Sequence, residues 1–119
     1  MSYIDGFVVP VKTSRKQEYI NMAKKNAALY KEYGATALFE CWGDDVPAGK
    51  VTDFMRAVAA ESDETIVFSW VVWPSKQVRD EGSKKMMNDP RMKIEGDPPF
   101  NLKRMIYGGF APVVELTMK

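Results

Sequence analysis

Residues 65 to 73 read TIVFSWVVW, and no other stretch narrows the fold as sharply. β-Branched and aromatic side chains at nearly every position make it a strand. Successive side chains of a strand point to opposite faces. Ile66, Phe68, Trp70 and Val72 therefore face one way, and Val67, Ser69, Val71 and Trp73 the other. Both sets are apolar, whereas an antiparallel strand with one wet face alternates apolar with polar residues. Residues 3 to 11 (YIDGFVVPV) repeat the pattern, with Phe7 and Val9 against Ile4 and Val8. This chain needs a sheet covered on both sides.

The other elements supply too little cover. Ser14 and Gln17 have the spacing of a capping box, and Tyr19, Met22, Ala23, Ala27, Tyr30 and Tyr33 then recur at helical spacing. Gly34 suits the end of that helix. A second strand is predicted over residues 35 to 42 (ATALFECW), followed by a turn-rich loop from Gly43 to Gly49. Residues 52 to 60 fit either a helical turn or a short ribbon strand. Pro74 closes the 65–73 strand, Ser75 caps a second helix reaching about Asn88, and Asn88-Asp89-Pro90 stops it. A Pro-rich connection over residues 94 to 101 leads to a last strand within residues 103 to 116. Pro10 lacks a donor and is expected to loosen the first strand. The order is βαββαβ in one α+β domain spanning residues 1 to 119. It makes a four-stranded antiparallel sheet with two helices on one face. The second face would be a larger apolar patch than monomers tolerate. A second subunit is the expected cover, and a loop between Gly43 and Thr65 folded over the face is the alternative.

Composition sets the chemical limits. A chain of 119 residues with 45% apolar and 28% charged side chains is ordinary for a globular domain. Seventeen Lys and Arg against sixteen Asp and Glu create no overall field toward nucleic acid or anionic lipid. The lone cysteine, Cys41, excludes an internal disulfide and suits a reducing compartment. With no apolar run of membrane-spanning length and no signal-like start, the expectation is a cytoplasmic protein with no membrane partner. There is no histidine, which removes Ser-His-Asp and Cys-His catalysis and His-ligated metal or haem.

Several strings together resemble one family: YIDGFVVPV, Glu40-Cys41-Trp42-Gly43-Asp44-Asp45-Val46-Pro47, Gly49-Lys50-Val51-Thr52, Phe68-Ser69-Trp70, Asp89-Pro90-Arg91-Met92 and Lys103-Arg104-Met105-Ile106-Tyr107-Gly108-Gly109-Phe110. The chain is similar to the YbaA-like family, domain of unknown function 1428. The resemblance implies a ferredoxin-like fold of the dimeric α/β-barrel superfamily, in which two subunits close a barrel with their sheets. It implies no activity, because the family is itself uncharacterised. Where the family pattern has Phe-Asp-Gly, this chain has Phe100-Asn101-Leu102 and so lacks the acidic side chain at that turn.

Each candidate site has a plainer structural role beside the functional one. Gly43 to Thr52 misses a phosphate loop, because five residues separate Gly43 from Gly49 and Val51 stands where a hydroxyl would hold magnesium. Asp44, Asp45 and Asp53 suit turns and caps better than a cation, so no metal and no resident cofactor is expected. Asp5, Glu40, Cys41 and Ser69 are polar residues inside apolar strands. A buried carboxylate must be paired, and Arg104 or Lys103 is the expected partner. The candidate pocket, between helices and sheet as in the resembled superfamily, is Asp5, Glu40, Ser69, Trp70, Trp73, Arg104 and Tyr107. Residues 12 to 33 carry six basic and two acidic side chains, and residues 43 to 64 the reverse. No basic run with interleaved aromatics marks a nucleic-acid surface. Two functions remain: a pocket for a small apolar or aromatic ligand, with or without cofactor-independent catalysis, or a non-catalytic homodimeric interaction module. RNA association through the first helix is a weaker third.

Overall fold

A computed structural model describes residues 2–94 and 96–118, so Glu95 in the expected 94–101 connection lies outside it. β1 (Tyr3–Lys12) passes through a 3-10 turn (Thr13–Arg15) into α1 (Lys16–Glu32), followed by β2 (Ala37–Trp42) and the single-turn α2 (Phe54–Ala57). β3 (Glu64–Trp73), α3 (Lys76–Met87), two further 3-10 turns (Pro90–Met92 and Leu102–Arg104) and β4 (Ile106–Phe110) complete the order. The sheet runs β2-β3-β1-β4, and every neighbouring pair is antiparallel. Among the described residues no helix is long and apolar enough to cross a membrane.

Strand register decides which side chains share a face. Trp73, Val71, Ser69 and Val67 stand opposite Tyr3, Asp5, Phe7 and Val9, beneath α1 and α3. Val67, Val9 and Val11 pack there with Tyr19 and Ala23 of α1. Trp73 is wholly buried, its ring meeting Tyr30 edge-on at 5.9 Å. α3 sits close over it because Gly82 has no side chain: a Cβ would stand 2.7 Å from the indole and 2.6 Å from the Tyr33 carbonyl.

The opposite face carries Ile66, Phe68, Trp70 and Val72 of β3, with Ile4, Gly6, Val8 and Pro10 of β1. Residues 52 to 60 resolve as the helical turn α2, which Asp53 caps by accepting from the Arg56 N–H at 2.8 Å. Met55, Val58 and Ala60 cover Val8 and Ile66. The loop thus folds over one end of the open face only. Phe39, Phe68, Ile106 and Phe110 remain 44 to 61% exposed, with Phe39 stacked on Trp70 at 4.9 Å.

Two local expectations need correction. Ser14 does not cap α1, which begins at Lys16 without a side-chain cap. The Thr13 N–H donates to the Asp63 carbonyl (3.0 Å) and its hydroxyl meets that of Thr65 (2.6 Å), so the chain is still tied to the sheet at that point. β1 does not loosen at Pro10 but runs through to Lys12. The Lys12 N–H reaches Pro99, so two residues earlier the missing donor of Pro10 points to the side where β4 has already ended. The last strand, Ile106–Phe110, falls within the expected window. Residues 102–104 form a 3-10 turn capped by Asn101, and beyond Phe110, which pairs with Ile4, β1 has almost run out. Ser75 caps α3 as expected, accepting from the Val78 N–H at 3.1 Å, and Gly34 takes the left-handed conformation after α1 (φ 109°).

Candidate functional site

A cleft of about 700 Å³ lies between α1 and the sheet. Its floor is mainly apolar, with Phe7 and Val9 from β1, Leu38 from β2 and Val71 from β3 around the polar Glu40 and Ser69. Its wall is the inward face of α1, with Tyr19, Met22 and Tyr30. The segment after α3 roofs it with Pro90–Met92 and Phe100. That roof is tied to both ends of α1. Arg15 donates to the Asp97 carbonyl (2.6 Å) and the Pro98 carbonyl (3.0 Å), and Arg91 binds Glu32 (2.6 Å) and Asp89 (2.7 Å). Tyr33 also donates to Asp89 at 2.6 Å, and these partners hold its carboxyl well below the usual carboxylate range.

Glu40 is the charged centre of the floor. It stands opposite Ser69 in the β2–β3 register, and the Tyr19 hydroxyl donates to Oε1 at 2.7 Å. Glu40 is open to solvent along the edge strand, yet protein around its carboxyl displaces enough water to push the pKa up. The hydrogen bond from Tyr19 opposes that shift without cancelling it. Burial first, and the Glu40 charge second, raise the Tyr19 phenol far above its ordinary value. Burial pushes Tyr30 up to about 12. Both phenols therefore keep their protons at neutral pH, and Tyr19 donates to a carboxylate that is easier to protonate than usual. A smaller hollow of about 280 Å³ on the far side of α1 also reaches Tyr19, Leu38 and Glu40.

The seven candidate residues fall in different places. Glu40 and Ser69 line the cleft together. Asp5 and Trp73 share its face of the sheet but form a closed cluster: the indole N–H donates to Asp5 Oδ2 at 2.9 Å, and Arg79 binds Oδ1 at 2.8 Å. Arg79 of α3, not Arg104, is thus the partner of Asp5. Arg104 instead grips Glu64 with two contacts of 2.6 Å, because the turn before β4 lies over the β3 end remote from Asp5. Trp70 belongs to the opposite face, as strand alternation requires. Tyr107 is on the cleft's side of the sheet but largely exposed, with its ring 6.5 Å from Phe7. Tyr19 and Tyr30 belong to the cleft and were legible only as an apolar stripe, since helical spacing does not tell a core tyrosine from a pocket tyrosine.

Asp53 is occupied by the α2 cap and by the Gly49 N–H at 3.1 Å. Among the described residues no three Cys, Asp or Glu side chains come together as a metal-binding group.

An antiparallel four-stranded sheet with two long helices on one face defines an α+β protein, and a solved structure shares the arrangement. A NIPSNAP family protein from Agrobacterium tumefaciens superposes with a TM-score of 0.51, covering 95% of this chain and 94% of its own. At 12% identity that likeness concerns the fold alone. The sequence goes further: the profile of the family described as "Protein of unknown function (DUF1428)" matches residues 2–102, and the chain belongs to that family. Its relatives include the uncharacterized protein YbaA of Escherichia coli K12 and that of Shigella flexneri. Each is 56% identical over 116 residues, which span 97% of this chain and 99% of the relative.

Proposed function

We propose that this protein is a homodimer of ferredoxin-like, dimeric α/β-barrel subunits that binds a small, mainly apolar molecule in the cleft between α1 and the sheet. The observation that carries this reading is the pairing of a mainly apolar floor with a placed polar group at its centre, Glu40 hydrogen-bonded to Tyr19. Ligand sites are typically apolar hollows of 300 to 1,000 Å³ with a few placed polar groups. An ionised carboxylate has lone pairs beyond the one Tyr19 occupies, so the favoured ligand carries a hydroxyl, amide or amine donor on a flat or aliphatic body. Any chemistry would use Glu40 as a proton acceptor, since burial already raises its basicity.

The test is a crystal structure and a native mass spectrum of protein purified without ligand stripping. The expected result is a bound small molecule against Glu40 and Tyr19, depleted by Glu40→Gln and by Met22→Trp, which narrows the cleft. A cleft filled by the protein's own side chains would overturn the proposal. The second reading, a non-catalytic homodimeric interaction module, is favoured by the exposed rings of the open face. It expects a stable dimer with an empty cleft.

A further inference from the structure

Beyond β4 the chain carries Ala-Pro-Val-Val-Glu-Leu-Thr-Met over residues 111–118. Val113, Val114, Leu116 and Met118 are each 73 to 96% exposed. Val114, Leu116 and Met118 alternate with Glu115 and Thr117, which is the pattern of a strand with one apolar face. Yet among the described residues one hydrogen bond ties the segment to its protomer, from the Ser2 N–H to Glu115 at 3.3 Å. Isolated exposed apolar residues need no explanation. Four in eight positions, with strand alternation, describe a surface that lacks its partner.

The open face of the sheet indicates what that partner is. Its β2–β3 half is tall, built from Phe39, Phe68 and Trp70. Its β1–β4 half is low, because Gly6 and Gly108 carry no side chain and the Phe110 ring lies 3.6 and 3.4 Å from where their Cβ atoms would be. In a two-fold dimer the same patch meets itself, and tall packs on low when β2–β3 of one protomer covers β1–β4 of the other. The end of β4 then lies beside the partner's β2, an edge strand with one unpaired side. Eight extended residues reach about 26 Å, close to the shortest dimension of the protomer, 27 Å.

We propose that residues 111–118 cross to the second copy of this chain and add a strand to the free edge of its β2, closing the seam between the two sheets. The edge strand contributes main-chain hydrogen bonds, and Val114, Leu116 and Met118 bury against the rim of the open face near Phe39. This inference rests on the homodimer proposed above.

Cys41, the sole cysteine, sits exposed on β2 and serves as the probe. A disulfide needs Cα atoms within about 7 Å, so Val114→Cys and Leu116→Cys, each under mild oxidation, report which chain the tail touches. At least one of the two is expected to give more than half covalent dimer on a non-reducing gel. The unsubstituted chain and the same variants carrying Cys41→Ser should give none. Truncation after Ala111 should weaken association at least tenfold in sedimentation equilibrium without changing the far-ultraviolet circular dichroism of the protomer. A protein that sediments as a dimer but yields no covalent dimer overturns the crossing tail and leaves the homodimer standing. A protein that sediments as a monomer overturns both.

Discussion

The two faces of the sheet are built from the same four strands and meet different fates. Under α1 and α3, Val67, Val71 and Trp73 are almost completely buried, and the polar groups among them are paired, with Asp5 held by Trp73 and Arg79. One residue along the same strand, Phe68 and Trp70 stand on a face of which α2 covers only the Val8–Ile66 end. The closed face holds the protomer together and frames the cleft. The open face contributes the Val8–Val58–Ile66 cluster at one end and leaves Phe39 and Phe68 about half exposed. Burial, not residue type, separates the two faces: each carries a tryptophan, Trp73 on one and Trp70 on the other.

Substitutions on the two faces test this division directly. Trp73→Ala should have the largest effect, costing roughly 3 to 5 kcal/mol in chemical denaturation, as truncation of a buried aromatic does; it also deprives Asp5 of a donor. Phe68→Asp should leave protomer unfolding within about 1 kcal/mol of the parent while weakening self-association a hundredfold or more in sedimentation. If Phe68→Asp unfolds the isolated protomer as Trp73→Ala does, the two faces are not distinct in role.

The cleft's roof and floor provide two smaller tests of opposite sign. Asp89 has a folded pKa lowered by Arg91, Tyr33 and a backbone N–H, so its contribution is present above the unfolded value near 3.8 and is lost as pH falls through the folded one. Asp89→Asn should destabilise the protein at neutral pH, by less than Trp73→Ala does, and the gap to the parent should close in acid. Glu40 has a raised pKa, so the folded state favours its protonated form. That advantage is full below the ordinary value of 4.5 and is lost as pH rises through the folded value. Glu40→Gln should therefore be at least as stable as the parent at pH 7, with the difference vanishing below about pH 4. A neutral-pH loss on Glu40→Gln as large as that of Asp89→Asn would show that Glu40 is a structural anchor.

Side-chain alternation made the strands and their faces readable in advance. The assignment of Phe68 and Trp70 to one side and Val71 and Trp73 to the other follows from a two-residue period alone, and the register reproduces it. The Ser75 cap was readable for a similar reason, since capping is local. The Ser14 cap failed because Thr13 remains bound to Asp63 and Thr65, residues fifty positions away in sequence. Pairing of the buried carboxylate was foreseeable from the cost of burying charge. Its partner was not, because Arg79 and Arg104 are equally basic in sequence and only the placement of α3 brings one of them to Asp5.

By itself, the sequence determined the element order, the two-faced apolar sheet and the exclusion of histidine chemistry, because periodicity and composition are properties of the chain. Tertiary structure decided that Glu40 meets Tyr19 across 21 residues, that Trp70 lies away from the cleft's polar group, and that one sheet face is covered by α2 only at its Val8–Ile66 end. Those facts depend on how elements pack, and the free energy of packing resides in contacts between residues distant in sequence.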